Sequence, residues 1–390
     1  MRTGDMRIKI TELYIYPIKS LRPVSVPSAR LLREGLQYDR RFMLLKAEAD
    51  GRYTNVQVSR FPECALFAQA LDGDHVVVTY QDPKADRERE EQEELRVPLD
   101  PAVEDLQANG TVDILLFGSA TSALRVGDEY DAWFSARLGY RAVLVYIGDD
   151  RRAVLAHAPP PPPATAPKSW FSFAASFLPS YLHQQQPQQE KGGEGEREEE
   201  KLVFNEAAPF LITSRASLRD IEARMMPNGE AVDMIKFRPN IVVDEVPSSS
   251  SAPAPVSPAP NDHDDNEESA LRPWDEDFWG EIAVGPSRHR LALTANCARC
   301  VSVDVDYATG RRTDVVLRRL MRDRRVDAGN KWSPVFGRYS FLLDGSDTAT
   351  RGGGDALVTS VTEGAADVAV GDEVQVTRRL SERDVWAWPK

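Results

Sequence analysis

Short alternating runs of apolar and polar residues are the strongest pattern in this chain, and they predict strands. A typical run covers residues 8–16, which is rich in β-branched and aromatic residues and ends at a proline turn. Similar runs lie at 36–45, 75–80, 95–99, 112–117, 141–146, 208–214, 241–243, 288–293 and 301–306, with a final pair at 340–343 and 373–377. Many short strands favour barrels or open barrels.

Three segments have the helical period instead, at residues 127–139, 214–221 and 314–324. Their predicted buried faces are Tyr130, Trp133, Phe134 and Leu138 in the first, Leu218 and Ile221 behind a Ser214 or Ser217 cap in the second, and Leu317, Leu320 and Met321 in the third. The predicted fold class is therefore α+β and β-rich, with two β-barrel-like domains and few short helices.

Two stretches interrupt this pattern and divide the chain. Residues 158–201 contain five successive prolines, a glutamine-rich run and a Gly/Glu-rich run, and residues 247–270 are Pro/Ser-rich and then acidic. Such compositions bury too little apolar surface to offset chain entropy, so both are predicted to be disordered inserts. An N-terminal domain is expected at 8–150 and a second domain at 202–380, interrupted at 247–270. The aromatic segment 170–182 is expected to pack on the protein's own surface.

Charge and composition exclude some function classes. The 390 residues carry a net charge of −13, which argues against binding to nucleic acid phosphates. No apolar run is long enough to span a bilayer, so no transmembrane segment is expected. Three cysteines form no even disulfide framework. They indicate a reducing compartment, and we expect an intracellular protein, cytoplasmic or peripheral to an organelle membrane.

Cys297 and Cys300 form a C-x-x-C pair for which three chemistries are open: structural zinc, a redox disulfide, or one thiolate for a soft metal. Zinc needs four ligands, and His289 and Cys64 supply no second spaced pair. A thioredoxin-like pair opens a helix, whereas these cysteines lie between two predicted strands. The chain contains no G-x-S-x-G, no P-loop and no strand-borne G-x-G-x-x-G.

The soft-metal interpretation requires groups that bind the anionic part of a cofactor. Arg299 lies next to Cys300, and further candidates lie at strand ends or in loops, where side chains can converge. These are Lys19, Ser20, Arg41, Arg238 and Asn240.

Six short motifs in one order resemble a known family. They are Y-P-I-K-S at 16–20, D-R-R-F at 39–42, P-F-L-I at 209–212, F-R-P-N-I at 237–241, C-A-R-C at 297–300 and S-P-V-F-G at 333–337. Together they resemble the MOSC domain family with its N-terminal MOSC β-barrel domain, most closely the amidoxime-reducing-component branch. The resemblance covers the chain except for the two inserts.

This resemblance implies a molybdenum cofactor, a Mo-pyranopterin with a terminal phosphate, whose metal is ligated by Cys300. Cys297 would be a neighbour that does not ligate the metal. The residues implied to hold the pterin and phosphate are Lys19, Ser20, Arg41, Arg238 and Arg299, with Asn240 supporting the loop. Arginine forks and a lysine charge suit such an anionic group.

The implied activity is reduction of N-hydroxylated compounds, such as amidoximes and hydroxylamines, with electrons from a b5-type cytochrome and its reductase. An alternative is a non-catalytic protein that binds or carries the molybdenum cofactor. A sulfur-transfer role is a further alternative, which the lack of a pyridoxal-phosphate domain in this sequence makes weaker.

The chain departs from the family pattern at several places. Ala207 and Ala208 stand where relatives often have hydroxyl residues, so contacts there would come from backbone groups. Ala298 replaces a serine found in some relatives. No membrane-anchoring helix precedes Ile8, and no ferredoxin-like extension is present, so electrons are expected to arrive from a separate protein.

Overall fold

The computed structural model describes residues 6–84, 93–159, 200–225, 232–247, 271–343 and 367–388. Almost all of both predicted inserts, 158–201 and 247–270, lies outside these residues. The same holds for the aromatic segment 170–182.

Short strands dominate the described residues, which confirms the predicted fold class. Up to residue 159 the elements are β1 (Met6–Ile15), β2 (Val24–Val26), β3 (Ser28–Ala29), β4 (Leu31–Leu32), β5 (Gly35–Leu36), β6 (Phe42–Ala47), β7 (Tyr53–Asn55), β8 (Phe67–Asp72), β9 (His75–Tyr80), β10 (Glu94–Pro98), α1 (Val103–Gln107), β11 (Thr111–Leu116), β12 (Ser119–Arg125), α2 (Asp128–Leu138), β13 (Ala142–Tyr146) and β14 (Arg152–Ala153).

From residue 200 the elements continue with β15 (Lys201–Leu202), β16 (Phe210–Ser214), α3 (Arg215–Met225), β17 (Ile241–Pro247), β18 (Trp279–Val284), β19 (His289–Ala298), β20 (Val305–Asp306), β21 (Arg311–Arg312), α4 (Val316–Asp323), β22 (Val335–Leu342), β23 (Val368–Ala369) and β24 (Val374–Arg379). Short 3₁₀ helices lie at Pro62–Leu66, Met234–Phe237, Asp275–Phe278 and Val301–Asp304.

An eight-stranded sheet forms a nearly closed barrel, with strand order β2-β1-β17-β16-β22-β19-β18-β24. Backbone hydrogen bonds link β1, near one end of this order, to the residues just before β24 at the other, since Ile10 N donates to Asp372 O at 2.9 Å and Gly371 N donates to Ile10 O at 2.8 Å. The predicted final pair, 340–343 and 373–377, is wrong as a pair. In the structure β22 lies between β16 and β19, whereas β24 pairs with β18.

Strand β1 is hydrogen-bonded into this barrel. It pairs antiparallel with β17, and Leu13 lies opposite Ile241. The barrel therefore combines a strand from the predicted N-terminal domain, 8–150, with strands from the predicted second domain, 202–380. Those domain bounds stay a prediction, but the sheet crosses them.

A second layer is built from the N-terminal half. Its sheets have the orders β11-β12-β13-β6-β7 and β10-β9-β8. The aromatic face of α2 packs against them, with Trp133 and Phe134 buried beside Phe67. This confirms the predicted helix at 127–139.

The other two predicted helices also form. Ser214 caps α3, because its Oγ accepts a hydrogen bond from Ala216 N at 3.1 Å, and Leu218 and Ile221 are buried. In α4 the buried residues are Val316 and Leu320. The predicted buried face, which included Leu317, is thus shifted, because Leu317 is only half-buried against the core.

Candidate functional site

A pocket with a cavity volume of about 110 Å³ lies where strand ends and loops from both halves of the described chain meet. Side chains from distant parts of the sequence converge on it. Six of the seven predicted site residues line the pocket, namely Lys19, Ser20, Arg238, Asn240, Arg299 and Cys300.

Arg41 is the predicted residue that does not line this pocket. Its Nη2 donates to the Tyr146 hydroxyl and to Gly148 O, both at 2.9 Å. The preceding residue, Arg40, lines the pocket in its place. Arg40 has a φ of 53°, and this left-handed conformation turns its side chain toward Asn240, whose Oδ1 accepts from Arg40 Nη1 at 3.1 Å. The D-R-R-F motif therefore contributes its first arginine to the pocket.

Lys19 places a buried amino group at the pocket wall. Its Nζ donates to Phe204 O at 2.7 Å and lies 5.1 Å from the centre of the Phe117 ring. Burial lowers the pKa of Lys19 to about 7, and the nearby Arg40 and Arg238 add to this shift, although Glu206 opposes it. An anion in the pocket would offset the cost of keeping this amino group charged.

Arg238 presents a guanidinium with an unused donor. The residue follows the 3₁₀ helix Met234–Phe237 in a left-handed conformation, with φ 54°. Its Nη1 donates to Leu21 O at 2.9 Å, and the group lies 4.3 Å from the centre of the Tyr16 ring. Its Nη2 is buried and has no hydrogen-bond partner among the described residues. Buried donors are rarely left unpaired, so this atom marks a position for an anionic ligand.

Ser20 also has a left-handed backbone, with φ 76°. Its Oγ donates to Val56 O at 3.0 Å. The hydroxyl is buried and already bonded, so Ser20 offers its oxygen to a ligand only as an acceptor.

Asn240 holds three chain segments together. Its Nδ2 donates to Asp39 Oδ2 at 3.0 Å and to Tyr14 O at 3.2 Å, and its Oδ1 accepts from Leu211 N at 3.2 Å. Together with the bond from Arg40, these contacts use its whole hydrogen-bonding capacity. Asn240 therefore fixes the pocket wall, and its role beside a cofactor stays a prediction.

Arg299 braces the loop that carries the cysteine. Its Nε and Nη2 donate to Phe336 O at 2.9 and 2.6 Å, and its Nη1 donates to Phe237 O at 2.8 Å. The two phenylalanine rings stack at 3.9 Å. Three of its five N–H groups are thus used within the protein, and two remain for a ligand.

The two cysteines of the C-A-R-C motif have different environments. Cys300 is exposed and lines the pocket, with its Sγ 3.3 Å from Ser302 Oγ. Cys297 is only 2% exposed, and burial raises its pKa to about 11, while Arg299 acts in the opposite direction. Cys300 is therefore the better placed of the two to give a sulfur ligand to a bound metal.

The pocket is cationic in an acidic protein. The charged side chains that line it are Lys19, Arg40, Lys236, Arg238 and Arg299, with Glu206 as the acidic one. The chain as a whole carries a net charge of −13. Because positive charges cluster here although the net charge of the chain is negative, the pocket suits an anionic ligand.

Several lining residues were not predicted from the sequence. Arg40 and Lys236 lie inside or beside the motifs at 39–42 and 237–241, so those motifs contained the signal. Phe117, Ser302 and Tyr339 also line the pocket, but no pattern in the sequence distinguishes them.

Two further properties of the described residues concern metal binding and membrane crossing. They contain no group of three or more His, Cys, Asp or Glu side chains that could hold a metal ion. Within the same ranges no helix is long and apolar enough to cross a membrane.

Comparison with protein families gives two matches. Residues 7–141 match the model of the MOSC N-terminal beta barrel domain, and residues 199–256 and 266–375 match that of the MOSC domain. Together they span most of the chain.

Curated relatives carry two kinds of name. A molybdenum cofactor sulfurase from Neosartorya fischeri is 26% identical over 86% of this chain and 37% of the relative. Another from Aspergillus fumigatus is 27% identical over 86% of this chain and 38% of the relative. The chain thus spans under two fifths of these sulfurases. Mitochondrial amidoxime-reducing component 1 from Danio rerio is 24% identical, over 85% of this chain and 79% of the relative.

Proposed function

Because the chain belongs to the MOSC family and contains both its N-terminal β-barrel domain and its MOSC domain, we propose that the pocket binds a molybdenum cofactor and that the loaded protein reduces N-hydroxylated compounds. The observation that carries this proposal is the exposed Cys300 thiol in a pocket lined by cationic side chains.

The pocket residues fit such a group. Cys300 would ligate the metal, and Lys19, Arg40 and Arg238 would hold the terminal phosphate and pterin. The unpaired Nη2 of Arg238 supports this arrangement, since a phosphate oxygen would satisfy it. Ser20 would accept a hydrogen bond, and Arg299 would offer its two remaining N–H groups. Cys297 would stay a buried neighbour.

The pocket geometry also suits the proposed reaction. When bound, the cofactor supplies a redox-active metal able to take the oxygen from nitrogen. The net reaction of an amidoxime consumes two electrons and two protons and releases an amidine and water. Exposure of Cys300 would leave one side of the site open to small N-oxygenated substrates. Electrons would come from a b5-type cytochrome and its reductase.

The relatives support both this activity and its alternatives. Similarity along most of a protein named amidoxime-reducing component favours N-reduction. Two alternatives are a role as cofactor carrier and a sulfur-transfer role with Cys300 or Cys297 as the sulfur carrier. Similarity to part of the molybdenum cofactor sulfurases supports them.

The test is to express the chain in a host that makes the cofactor and to measure molybdenum per chain together with benzamidoxime reduction through a reconstituted cytochrome b5 chain. We expect about one molybdenum per chain and turnover, and loss of both in Cys300→Ser. The matched control is Cys297→Ala, which should keep its metal. Loaded protein without turnover would reject N-reduction in favour of a carrier, and metal retained by Cys300→Ser would reject the assigned ligand.

A further inference from the structure

One face of α4 carries arginines without partners. Arg318 and Arg322 in α4, and Arg325 just after it, are exposed and spaced i, i+4 and i+7. We call these three residues the arginine stripe. Within the described ranges, none of their side chains has a hydrogen bond or an ion pair. Val316 and Leu320 occupy the buried side of the same helix, so the stripe faces solvent.

Some exposed arginines elsewhere in the described chain, such as Arg30 and Arg141, also lack partners, but they are not grouped on one helix, and others are paired. Arg52, Arg96 and Arg219 pair with Asp50, Asp72 and Asp244, at 2.6, 2.7 and 2.6 Å. Acidic residues outnumber basic ones by 61 to 48, so carboxylates are plentiful. The stripe is therefore cationic although the rest of the chain offers many possible acidic partners.

Helix stability does not explain the stripe. The helix dipole favours cations in the last turn, which suits Arg322. Arg318, however, lies in the first turn, where the helix dipole disfavours a cation; the carboxylate that caps this end of α4 comes from Asp304, outside the helix. The i, i+4 spacing of Arg318 and Arg322 adds repulsion between like charges. Because Arg318 and its spacing to Arg322 do not stabilise the helix, we attribute these arginines to a function other than folding.

Both ends of α4 are tied to residues next to Cys300. At its start, Asp304 Oδ1 accepts from Val316 N at 2.8 Å, and Asp304 ends the 3₁₀ helix that begins just after Cys300. At its end, Val335 N donates to Arg324 O at 2.8 Å, and the adjoining Pro334 O accepts from Arg299 N at 2.8 Å. Since the helix spans only about 12 Å, the stripe adjoins the metal-binding edge of the pocket.

Two exposed apolar side chains lie in segments that adjoin Cys300 or follow α4. Trp332, in the loop between Arg324 and Val335, is 84% exposed, and Val301, next to Cys300, is 38% exposed. Tryptophan and arginine are the residues most enriched among binding hot spots of protein interfaces. The composition of this surface thus resembles a protein interface.

We propose that the arginine stripe, with Trp332 and Val301, is the docking surface for the protein that delivers electrons, an acidic one-electron carrier. This inference rests on the proposed function. Complexes of redox proteins bury less than about 1,200 Å² in total, so their contact area extends roughly 14 Å from its centre. A carrier on this surface would cover both the stripe and Cys300, and opposite charges would steer it there.

An anionic membrane is the competing occupant. A bilayer lying on this surface would also cover the exposed side of Cys300, where the substrate and the electron carrier must both arrive. A carrier that binds transiently leaves the substrate its access, so the observations favour a protein partner.

The experiment compares the loaded wild type with the double variant Arg318→Glu/Arg322→Glu, using the soluble haem domain of a b5-type cytochrome. The KM for the cytochrome should rise about tenfold or more at low ionic strength, and the difference should shrink at about 0.5 M salt. Direct titration of the cytochrome onto the protein should show the same weakening. Activity with reduced methyl viologen, a small donor, should be unchanged.

Two sets of controls sharpen the result. Arg30→Glu/Arg141→Glu changes the net charge equally at exposed positions outside the pocket lining and should leave the cytochrome KM as in the wild type. Arg318→Lys/Arg322→Lys should retain most binding, whereas Trp332→Ala should weaken binding at every salt concentration, because its contact is apolar.

The possible outcomes separate the two proposals. If the wild type reduces no N-hydroxylated substrate with either donor, the proposed function fails, and the titration still decides docking. An unchanged cytochrome KM and affinity in the double variant would overturn the docking surface. So would a variant that loses binding to phosphatidylserine vesicles but keeps its cytochrome affinity.

Discussion

Two groups of cations, those of the pocket and those of the arginine stripe, are held in opposite ways. In the pocket, Lys19 and Arg299 are buried and donate to backbone carbonyls. On α4, Arg318 and Arg322 are exposed, with no partner in the described chain. A buried cation loses its hydration, so it needs fixed hydrogen bonds and has one geometry. An exposed cation keeps its water and mobility, which suits brief contacts. Replacing one cation of each kind and comparing the effects tests this contrast.

The largest expected difference is in how the unfolding free energy changes with pH. Burial lowers the pKa of Lys19 to about 7, against about 10.4 in an unfolded chain. Between these values the unfolded chain binds more protons, so the contribution of Lys19 to the unfolding free energy becomes more favourable as pH rises. Relative to Lys19→Met, the cofactor-free wild type should gain up to about 1.4 kcal/mol per pH unit, or roughly 3.5 kcal/mol from pH 7 to 10.

Urea unfolding at pH 7, 8, 9 and 10 measures this effect. Arg318→Met serves as the exposed counterpart and should differ from the wild type by a constant amount, because arginine stays charged throughout. If the unfolding free energies of the wild type and Lys19→Met change in parallel over this pH range, the amino group of Lys19 is not desolvated as described.

A smaller difference is expected when arginine is replaced by lysine. Arg299→Lys removes a planar group that donates to both Phe336 O and Phe237 O, and one ammonium cannot reproduce this geometry. The loss should be about 2 kcal/mol in the unfolding free energy. Arg325→Lys should stay within about 0.5 kcal/mol. Chemical denaturation measures both variants. Equal losses of unfolding free energy in Arg299→Lys and Arg325→Lys would show that Arg299 does not brace the loop.

The smallest effect should come from neutralising the stripe. Arg318→Gln removes a repulsion and no contact, so the unfolding free energy should be unchanged or higher by at most about 0.5 kcal/mol. Arg219→Gln is the matched comparison, because it breaks the pair with Asp244, and should cost up to about 1 kcal/mol. Calorimetric unfolding measures both, and destabilisation by Arg318→Gln would reveal a structural role for the stripe.

Much of the pocket could be predicted from the sequence because its residues lie in short motifs at strand ends. Strand ends and loops are the places where distant segments meet, so Lys19, Arg238 and Cys300 could be grouped without a structure. The choice between Arg40 and Arg41 could not be made in this way. It depends on the left-handed backbone at Arg40, which hydrophobic patterns do not encode.

The pairing of strands that lie far apart in the chain could not be predicted from the sequence either. The alternation of residues 8–16 predicts a strand but says nothing of its partner, and β1 pairs with β17 rather than within the N-terminal half alone. The stripe on α4 was also missed. The periodicity predicted a buried face with Leu317 and Met321, whereas burial of Val316 turns the arginines fully outward.

The insertion of β1 into the barrel has a consequence for biosynthesis. Tyr14 and Asn240 are hydrogen-bonded although they lie 226 positions apart. At about 5–20 residues per second, the ribosome needs roughly 10 to 45 s to make the partner of this first strand. During that time β1 can pair with β2 at Leu13–Ile15, but its edge toward β17 stays unpaired. The nascent chain therefore depends on protection of its N-terminal segment until the barrel can close behind it.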